Sequence, residues 1–217
     1  MRNILLVIVF TLFIHFSFAQ KLIGEATVTY NVSMQKKSDG NPVQSLTASY
    51  MLNLKGGMSR SDFSSTLGTE SAIYNNKIQE GAIIKSYGAQ KLLIKMNAND
   101  WEDRSSHFKN IPFSVEKETK VIMGVTCSKA VAQTSKGDLV TVYYDPETQC
   151  SNKDFSLAFT NINGLPMQII RSGTDVTYEY TISKISYEIV PTATFTIPQT
   201  GFRVLDYSEA KKMGQWK

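Results

Sequence analysis

The sequence predicts a mainly β fold: a single antiparallel, strongly curved sheet that forms an open half-barrel, with one or two short helices. Three observations support this prediction. Apolar and polar residues alternate with a period of two along several segments, which is typical of strands with one buried face. The segments are short and separated by turn signals, as in an antiparallel meander. In the longest segment the alternation changes parity, which indicates a bulge that bends the sheet.

Two segments in the first half of the chain show the alternation clearly. Residues 25–34 alternate strictly, and residues 47–54 repeat the pattern. The apolar positions are Ala26, Val28, Tyr30, Val32 and Met34 in the first segment and Ala48, Tyr50, Leu52 and Leu54 in the second. Shorter runs continue the series at 71–75, 82–87 and 91–96. We therefore predict that this half of the chain is a meander of strands.

The longest extended segment covers residues 174–190. Its apolar positions share one parity up to Ile182 and take the other parity from Ile185 onward. Because a one-residue slip moves every later side chain to the opposite face, we predict a bulge near Ser183-Lys184. Pro191 ends the segment. A last short strand is predicted at 195–198, and one or two helical turns at 206–213.

The polar stretch 97–110 is interpreted as an irregular loop around Trp101. Asp100, Glu102 and Asp103 lie close together in this stretch, where they could coordinate a cation or supply acid–base groups. The order of acidic residues found in an EF-hand loop is absent. A solvated loop is the alternative, and it stays open here.

The central segment supplies a predicted hairpin and both cysteines. Residues 135–138 read as a tight turn between two strands, and Gly124 is interpreted as a bulge. Cys127 and Cys150 lie on either side of that turn. An even cysteine count in an exported protein favours a disulfide, and a pair of buried free thiols is the alternative. A redox or metal role has less support, because there is no C-x-x-C motif.

The first 19 residues have the features of a cleavable signal peptide. A charged start at Arg2 is followed by an apolar run and by small residues before a predicted cleavage between Ala19 and Gln20. The run is shorter than the roughly 20 residues of a spanning helix. No cysteine sits at the cleavage site, and Cys127 is too distant to be acylated, so a lipoprotein is not expected. Residues 20–217 are predicted to form one β-rich domain in the periplasm or outside the cell.

Charge and motifs exclude several function classes. Cleavage removes Arg2 and no acidic residue, so 22 of the 23 basic residues remain against 19 acidic ones, a net charge of +3. These charges are scattered, which argues against a nucleic-acid partner. There is no nucleophile elbow, zinc-protease motif or phosphate-binding loop. We therefore predict a protein that is not an enzyme, with no catalytic residue, metal ligand or cofactor.

Several short motifs occur in a recurring order: G-M-S-R-S-D, G-V-T-C-S-K-A, Y-Y-D, N-G-L-P-M and F-T-I-P-Q-T-G-F. Together they resemble the GLPGLI-type and related exported proteins of Bacteroidota, which are domains of unknown function. The matching motif residues are Arg60, Gly124, Lys129, Gly164, Leu165 and Pro166. Met167 follows Pro166 in place of the glycine of the full motif, which favours relatives that read G-L-P-L. The resemblance implies a half-barrel similar to periplasmic lipoprotein carriers, and it implies no activity.

A curved sheet with little helix to cover it leaves an apolar concave face. That face either packs on itself or forms a cleft, so we expect a binding or carrier module for a lipid or another apolar ligand. The tyrosines proposed to line its pocket are Tyr30, Tyr50, Tyr178 and Tyr180, and each of them could instead be a core residue. The alternative function is a structural or interaction protein of the cell envelope that uses an exposed sheet edge to meet another envelope protein.

Overall fold

A computed structural model describes residues 20–36 and 45–214 of the chain. The predicted signal peptide lies outside the described residues, and so does the stretch Asp39-Gly40-Asn41-Pro42, whose composition predicts a turn or loop. The strands are β1 (Lys21–Ile23), β2 (Glu25–Lys36), β3 (Ser45–Lys55), β4 (Met58–Ser65), β5 (Gly68–Asn75), β6 (Glu80–Tyr87), β7 (Gln90–Asn97), β8 (Ser114–Ile122), β9 (Val125–Gln133), β10 (Leu139–Asp145), β11 (Thr148–Cys150), β12 (Leu165–Ser172), β13 (Val176–Ser186) and β14 (Arg203–Asp206). The helices are α1 (Ala98–Lys109) and α2 (Tyr207–Lys212), and a single 3-10 turn covers Thr192–Phe195.

The protein is mainly β, as predicted, and most of its strands belong to one large sheet. Twelve strands pair in the order β14-β7-β6-β5-β4-β3-β2-β13-β12-β10-β9-β8. Strands β14 and β8 are its edges, so the sheet does not close into a barrel. Strands β2 to β7 form an uninterrupted antiparallel meander, because each hairpin turn returns the chain beside the strand it has just left.

The prediction of one purely antiparallel sheet is wrong in two places. Strand β14 pairs with β7 in parallel, because the chain reaches that edge through a long connection after β13 rather than through a hairpin. Strands β1 and β11 form a second, two-stranded parallel sheet from segments far apart in sequence. The architecture is therefore a mixed sheet with a small accessory sheet. The strong curvature remains a prediction.

The strand register assigns the alternating apolar residues to one face of the large sheet, which we call the inner face. Tyr30 lies opposite Tyr50 on β3 and opposite Ile182 on β13, so all three side chains share this face. The predicted bulge is confirmed between Ile182 and Lys184. Because of this bulge, Ile185 lies opposite Val28 and returns to the inner face. The parity change in the sequence thus keeps the apolar side chains of β13 inside.

The sheet is buried on both faces at β5, β6 and β7. On the inner face, Ile83 and Ile94 pack with Trp101 of α1 and with Tyr207 of α2. On the outer face, Ile73 and Leu93 belong to a cluster that includes Val190 and Phe195 from the segment after β13. The sequence pattern of these strands is accordingly apolar at both parities, unlike that of β2.

The predicted loop at 97–110 is wrong, because this stretch contains the 12-residue helix α1. Asn97 caps the helix by accepting from the backbone N–H of Asp100, and the Asp100 carboxylate accepts from the backbone N–H of Asn97. This reciprocal pair satisfies backbone donors that a helix start otherwise leaves unpaired. Trp101 then stacks on Tyr74 with ring centroids 4.5 Å apart. Asp100 is thus a capping residue.

Two other local predictions differ from the structure. Gly124 is not a bulge but forms the turn between β8 and β9 together with Met123, and both residues have positive φ values. The predicted strand at 195–198 is wrong, because the 3-10 turn ends at Phe195 and the last strand is β14 instead. The predicted helical turns near the end of the chain are confirmed as α2, with Asp206 as the capping residue.

The favoured disulfide is also wrong, because Cys127 and Cys150 are both free and buried. They belong to the same core cluster, where a thiol packs as a small apolar group. Cys150 lies on β11, which pairs with β1 and not with the strand that carries Cys127. The alternative of two buried free thiols is therefore correct.

Among the described residues, neither helix is long and apolar enough to cross a lipid bilayer.

Candidate functional site

A cavity of about 390 Å³ opens on the inner face of the sheet. Six side chains supply its apolar wall: Ile111, Val140, Leu157, Phe159, Ile169 and Tyr180. Five charged side chains also line it: Glu70, Lys85, Arg104, Lys136 and Arg171. The volume lies at the lower end of the roughly 300–1,000 Å³ that is usual for small-molecule sites. An apolar wall with a few charged groups is the general composition of such sites.

The strand register explains why charged side chains point into this cavity. Glu70 on β5 lies opposite Lys85 on β6, and both have the parity of Ile83, which belongs to the inner face. On the other side of the cavity, Arg171 lies opposite Val140, and Ile169 lies opposite Tyr180. Strands β4, β3 and β2 separate β5 from β13 in the sheet. Side chains from distant strands therefore meet at one cavity.

Helix α1 and the loop after β11 cover the cavity. Arg104 of α1 donates through Nη1 to Oγ of Ser156 at 3.0 Å. Its guanidinium also lies 5.4 Å from the centre of the Trp101 ring, within the range of a cation–π contact. The helix is held in turn by α2, because the Asp103 carboxylate accepts from the Tyr207 hydroxyl and the Lys211 ammonium group. The position of Arg104 thus depends on both helices.

Two cations share one carboxylate at the β5–β6 side of the cavity. Lys85 Nζ lies 3.2 Å from Oε2 of Glu70, and Arg104 Nη2 lies 3.8 Å from Oε1 of the same group. The side chains of Lys85 and Arg104 are only 14% and 15% exposed. Burial lowers the pKa of Arg104, which the charge of Glu70 partly offsets. A guanidinium stays protonated in proteins, so this group of three carries a net positive charge.

The β10–β12 side holds a separate ion pair. Arg171 donates through Nη2 to Oδ2 of Asp138 at 2.6 Å, and its Nε also donates to that oxygen. Asp138 belongs to the turn between β9 and β10, and the exposed Lys136 lies in the same turn at the rim of the cavity. The charge of Arg171 is therefore balanced by that of Asp138.

The four tyrosines predicted to line a pocket take different positions. Tyr180 lines the cavity, and its ring meets that of Tyr50 edge to face at a centroid distance of 5.9 Å. Tyr50 meets Tyr30 in the same way at 5.9 Å. Tyr30 is 1% exposed and donates to the carbonyl of Pro166 at 2.8 Å, so it is a core residue. Tyr178 is half-buried and is not among the residues that line the cavity.

Burial and nearby charges both affect the ionisation of Tyr50 and Tyr180. Burial raises the pKa of Tyr180 to about 12 and raises that of Tyr50 further. Ser61 is close enough to Tyr50 to lower its pKa, although the buried Tyr50 hydroxyl forms no hydrogen bond of normal geometry in the structure. Arg104 also affects the pKa of Tyr50, and both Glu70 and Arg171 affect that of Tyr180. The tyrosine pair thus lies within electrostatic range of both sides of the cavity.

The three residues of the G-L-P motif, Gly164, Leu165 and Pro166, are closely packed against neighbouring residues at the start of β12. A side chain at Gly164 would bring a Cβ atom to 2.4 Å from the carbonyl oxygen of Asp145, so this position has room only for glycine. Leu165 is buried at 1% exposure. Pro166 lies opposite Tyr144 next to a register shift, which accommodates a residue that has no N–H to donate to the ladder. Its carbonyl accepts the hydrogen bond from Tyr30.

The other motif residues lie away from the cavity. Arg60 donates to both carboxylate oxygens of Asp62 at 2.9 Å and to the carbonyl of Thr194. Gly124 forms the turn described above with a φ of 78°. Lys129 pairs with Glu116 at 3.0 Å and with Glu118 at 2.7 Å. The structure therefore brings Gly164, Leu165 and Pro166 together with Tyr30, and it leaves Arg60, Gly124 and Lys129 apart.

Sequence reasoning missed the charged residues of the cavity. A signal for three of them is present, because Glu70, Lys85 and Arg171 occupy inward positions in strands that are otherwise apolar at that parity. A charged group at such a position is costly unless it has a partner or contacts solvent. Arg104 gave no such signal, because the segment that carries it was interpreted as a loop.

Two observations concern metal binding and the reactivity of the cysteines. Within 20–36 and 45–214, no three His, Cys, Asp or Glu side chains are grouped closely enough to hold a metal ion. Burial raises the pKa of both Cys127 and Cys150 to about 11. At neutral pH both are therefore thiols, and a thiol is a much weaker nucleophile than a thiolate.

Comparison with protein-family models and with curated proteins finds no match to this sequence. Solved structures with a similar fold include PNGF-II, at 14% identity and a TM-score of 0.49 over 86% of this chain; the chain spans only 33% of that structure. A DUF1329 family protein from Desulfovibrio piger matches at 10% identity and a TM-score of 0.38, over 80% of this chain and 90% of its own.

A LolA superfamily protein from Nitrosomonas europaea matches at 11% identity and a TM-score of 0.37, over 83% of this chain and 94% of its own. All these TM-scores lie below 0.5, so the functional interpretation rests on the cavity itself. The class defined by fold and site is a mainly β protein whose large sheet is not closed into a barrel and carries a cavity on its inner face. The resemblance to GLPGLI-type proteins remains a prediction.

Proposed function

We propose that this protein is an exported, non-catalytic binding or carrier module whose cavity holds the apolar part of a lipid or a similar ligand. The observation that carries the proposal is the cavity of about 390 Å³ with a largely apolar wall. Burial of an apolar ligand in such a cavity is favourable by roughly 25 cal/mol for each Å² removed from water. The predicted signal peptide supports a location in the periplasm or outside the cell.

The proposal includes a sheet that curves around its inner face. In a flat sheet, neighbouring strands lie about 4.8 Å apart. Four strands, β4, β3, β2 and β13, lie between β5 and β12. In a flat sheet, Glu70 on β5 and Arg171 on β12 would therefore be far apart. Both line the same cavity. Curvature between β5 and β12 is the simplest way to bring them together.

The alternative function, an interaction protein that uses a sheet edge, has less support. Edge strand β8 is exposed along Ser114–Val121. Its side chains include Glu116, Lys117 and Lys120, and its pairing with β9 shifts register after Glu116. Charges and bulges are the devices by which sheets prevent pairing at an edge. The other edge, β14, has only four residues and runs directly into α2.

The test uses an uncharged apolar fluorophore, N-phenyl-1-naphthylamine, titrated into the purified mature protein. Leu157→Trp fills the cavity from its wall and is expected to weaken binding of the fluorophore by about tenfold or more, because the ligand loses buried area. Leu139→Trp is the matched control, because Leu139 is 52% exposed and does not line the cavity. Circular dichroism establishes that both variants are folded. Equal binding by both variants, or no binding by the wild type, would contradict the proposal.

A further inference from the structure

We infer that Tyr180 closes the cavity toward the packed core and thereby limits the length of the apolar chain that the cavity accepts. This inference rests on the proposed function, because it assigns a size limit to the ligand of the same cavity. The ligand class is an amphiphile with one straight apolar chain. The basis of the inference is the position of Tyr180 between the cavity wall and the core.

Tyr180 lies at the boundary between two clusters of buried side chains. It packs against the core cluster that contains Tyr30 and Tyr50. It also packs against the cluster that contains Val140 and Ile169, two residues of the cavity wall. The side chain of Tyr180 therefore separates the cavity from the core.

The neighbouring strands show where the cavity ends. Strand β13 carries Tyr180, and β2 and β3 follow it in the sheet. Tyr180 lies opposite Val32 on β2, and Val32 lies opposite Ala48 on β3, so all three share the inner face. Among the described residues of β2 and β3, none lines the cavity. Tyr180 is therefore the last residue of the cavity wall on this side of the sheet.

The Tyr180 ring is held against the core by a second aromatic ring. It meets the ring of Tyr50 edge to face with centroids 5.9 Å apart, and Tyr50 meets Tyr30 in the same way. Such pairs are attractive beyond the area that they bury. Tyr50 is only 5% exposed, so it cannot move aside without disturbing a close-packed core. The Tyr180 ring is thus a fixed end wall of the cavity.

The inward side chains beside Tyr180 are small, so the size of this one ring sets the end of the cavity. When a large side chain is truncated, the surrounding structure relaxes only in part and a space remains. Val32 and Ala48 have too few atoms to fill the space that the Tyr180 ring occupies. The cavity of a Tyr180→Ala variant should therefore extend to the Tyr50 ring.

The cavity volume limits the number of chains. At about 390 Å³ the cavity lies near the lower limit of small-molecule sites, which suits one chain. Leu157, Phe159 and Ile169 supply apolar wall along which this chain packs. The polar group of the ligand stays at the opening beside the exposed Ser135 and Lys136, because a polar group that remains in water loses no hydration.

The first experiment measures how affinity depends on chain length. Octyl, decyl, dodecyl, tetradecyl and hexadecyl maltoside displace N-phenyl-1-naphthylamine from the wild-type protein, each below its critical micelle concentration. The head group is constant and uncharged, so only the chain changes. Each added methylene should strengthen binding by about fourfold until the chain reaches Tyr180, because each buried methylene adds a similar free energy. Longer chains should bind no more tightly.

The second experiment changes the end wall. Tyr180→Ala should move the end of this rise to chains longer by about two to four methylenes, because a chain fills the space of the ring. Tyr180→Trp should move it to shorter chains, because the larger ring reaches into the cavity. Tyr178→Ala is the matched control and should change nothing, because Tyr178 has the same parity on β13 and is not among the residues that line the cavity.

The outcomes separate the inference from the proposed function. Circular dichroism establishes that each variant is folded, and Tyr180→Trp decides the outcome if Tyr180→Ala does not fold. An unchanged chain-length limit in the Tyr180 variants, or a rise through the whole series in the wild type, overturns the role of Tyr180 and leaves the apolar cavity site intact. Binding of the fluorophore without displacement by any maltoside also overturns this inference alone. Binding of neither the fluorophore nor any maltoside overturns both.

Discussion

Two parts of the inner face, formed by one sheet, differ in what fills them. Next to β2 and β3 the face is closed: Tyr30, Leu52 and Leu54 are each at most 1% exposed. Between the β5–β6 and β10–β12 sides the face is open, and the cavity lies there. Both parts follow the same alternation of inward and outward side chains. The difference lies in the inward side chains themselves, which are large and apolar in the closed part and partly charged in the open part.

The comparison shows that one sheet can form a packed core in one part and an open cavity in another. In the closed part, the Tyr30 hydroxyl donates to the Pro166 carbonyl, so this buried polar group already has its partner. In the open part, Glu70, Lys85 and Arg171 replace apolar residues at inward positions, and charged groups resist complete burial. The inward charged positions and the cavity therefore occur in the same part of the sheet, beside a densely packed core.

The largest effect is expected in the closed part. Leu52→Ala should lower the free energy of unfolding by about 2–5 kcal/mol, because it leaves a void in a packed region. Urea denaturation measures the change. Met51→Ala on the opposite face is the control, with an expected change within about 0.5 kcal/mol, since Met51 is 41% exposed. A loss below 1 kcal/mol in Leu52→Ala would mean that the closed part is not densely packed.

A smaller effect is expected at the turn into β12, which joins the two parts. Gly164→Ala brings a Cβ atom to 2.4 Å from the Asp145 carbonyl oxygen and from Tyr144. The strain should cost about 1–3 kcal/mol, measured by thermal or urea unfolding. Gly24→Ala is the matched control, because its nearest atom is 4.0 Å away and its backbone needs no positive φ. Equal stability of the two variants would contradict the close approach at Gly164.

The buried thiols of the closed part predict a loss of stability at high pH. An unfolded thiol ionises near pH 8.5, whereas the pKa of Cys127 and Cys150 in the folded protein is about 11. Between these values the unfolded state binds fewer protons, so stability is full below about pH 8 and falls as pH rises. The loss should be roughly 1–2 kcal/mol per thiol at pH 10.

Urea denaturation from pH 7 to pH 10 measures this loss, and the Cys127→Ala and Cys150→Ala variants isolate it. The slope of stability against pH above pH 8.5 should be shallower in each variant than in the wild type. Identical slopes would show that the thiols are accessible to water, and the distinction between a dry closed part and an open part would be lost.

The smallest effect is expected at the rim of the open part. Lys136→Gln should change the free energy of unfolding by less than about 0.5 kcal/mol, because Lys136 is an exposed turn residue. It should leave the affinity for N-phenyl-1-naphthylamine unchanged within about twofold at low and at high salt, because the fluorophore is uncharged and Lys136 lies at the rim of the cavity. Fluorescence titration measures the affinity. A loss of about tenfold would instead mean that Lys136 contacts the bound fluorophore.

The closed part could be predicted from the sequence much better than the open part. Strict alternation in β2, β3 and β13 gave the strands, the inner face and the bulge at Ile182–Lys184. These features depend on residues within one strand, and the alternation of apolar and polar residues with a period of two indicates them directly. The buried state of Tyr30 follows from the same pattern.

The open part depends on contacts that no local pattern contains. Arg104, Lys85 and Tyr180 come from α1, β6 and β13, and only the tertiary fold brings them to one cavity. Helix α1 was missed because most of its residues are polar, so the 3.6-residue period of apolar positions is weak. Its start could have been found from the pair Asn97 and Asp100, which form a capping box.

The contact between α1 and α2 has a thermodynamic consequence for the end of the chain. Asp103 precedes Arg104 and is held by Tyr207 and Lys211, so docking of α2 and the position of the guanidinium are linked. A ligand that occupies the cavity lined by Arg104 is therefore expected to favour the docked state of α2 as well. Amide hydrogens of α2 should exchange with deuterium more slowly in the liganded protein, although no residue of α2 lines the cavity.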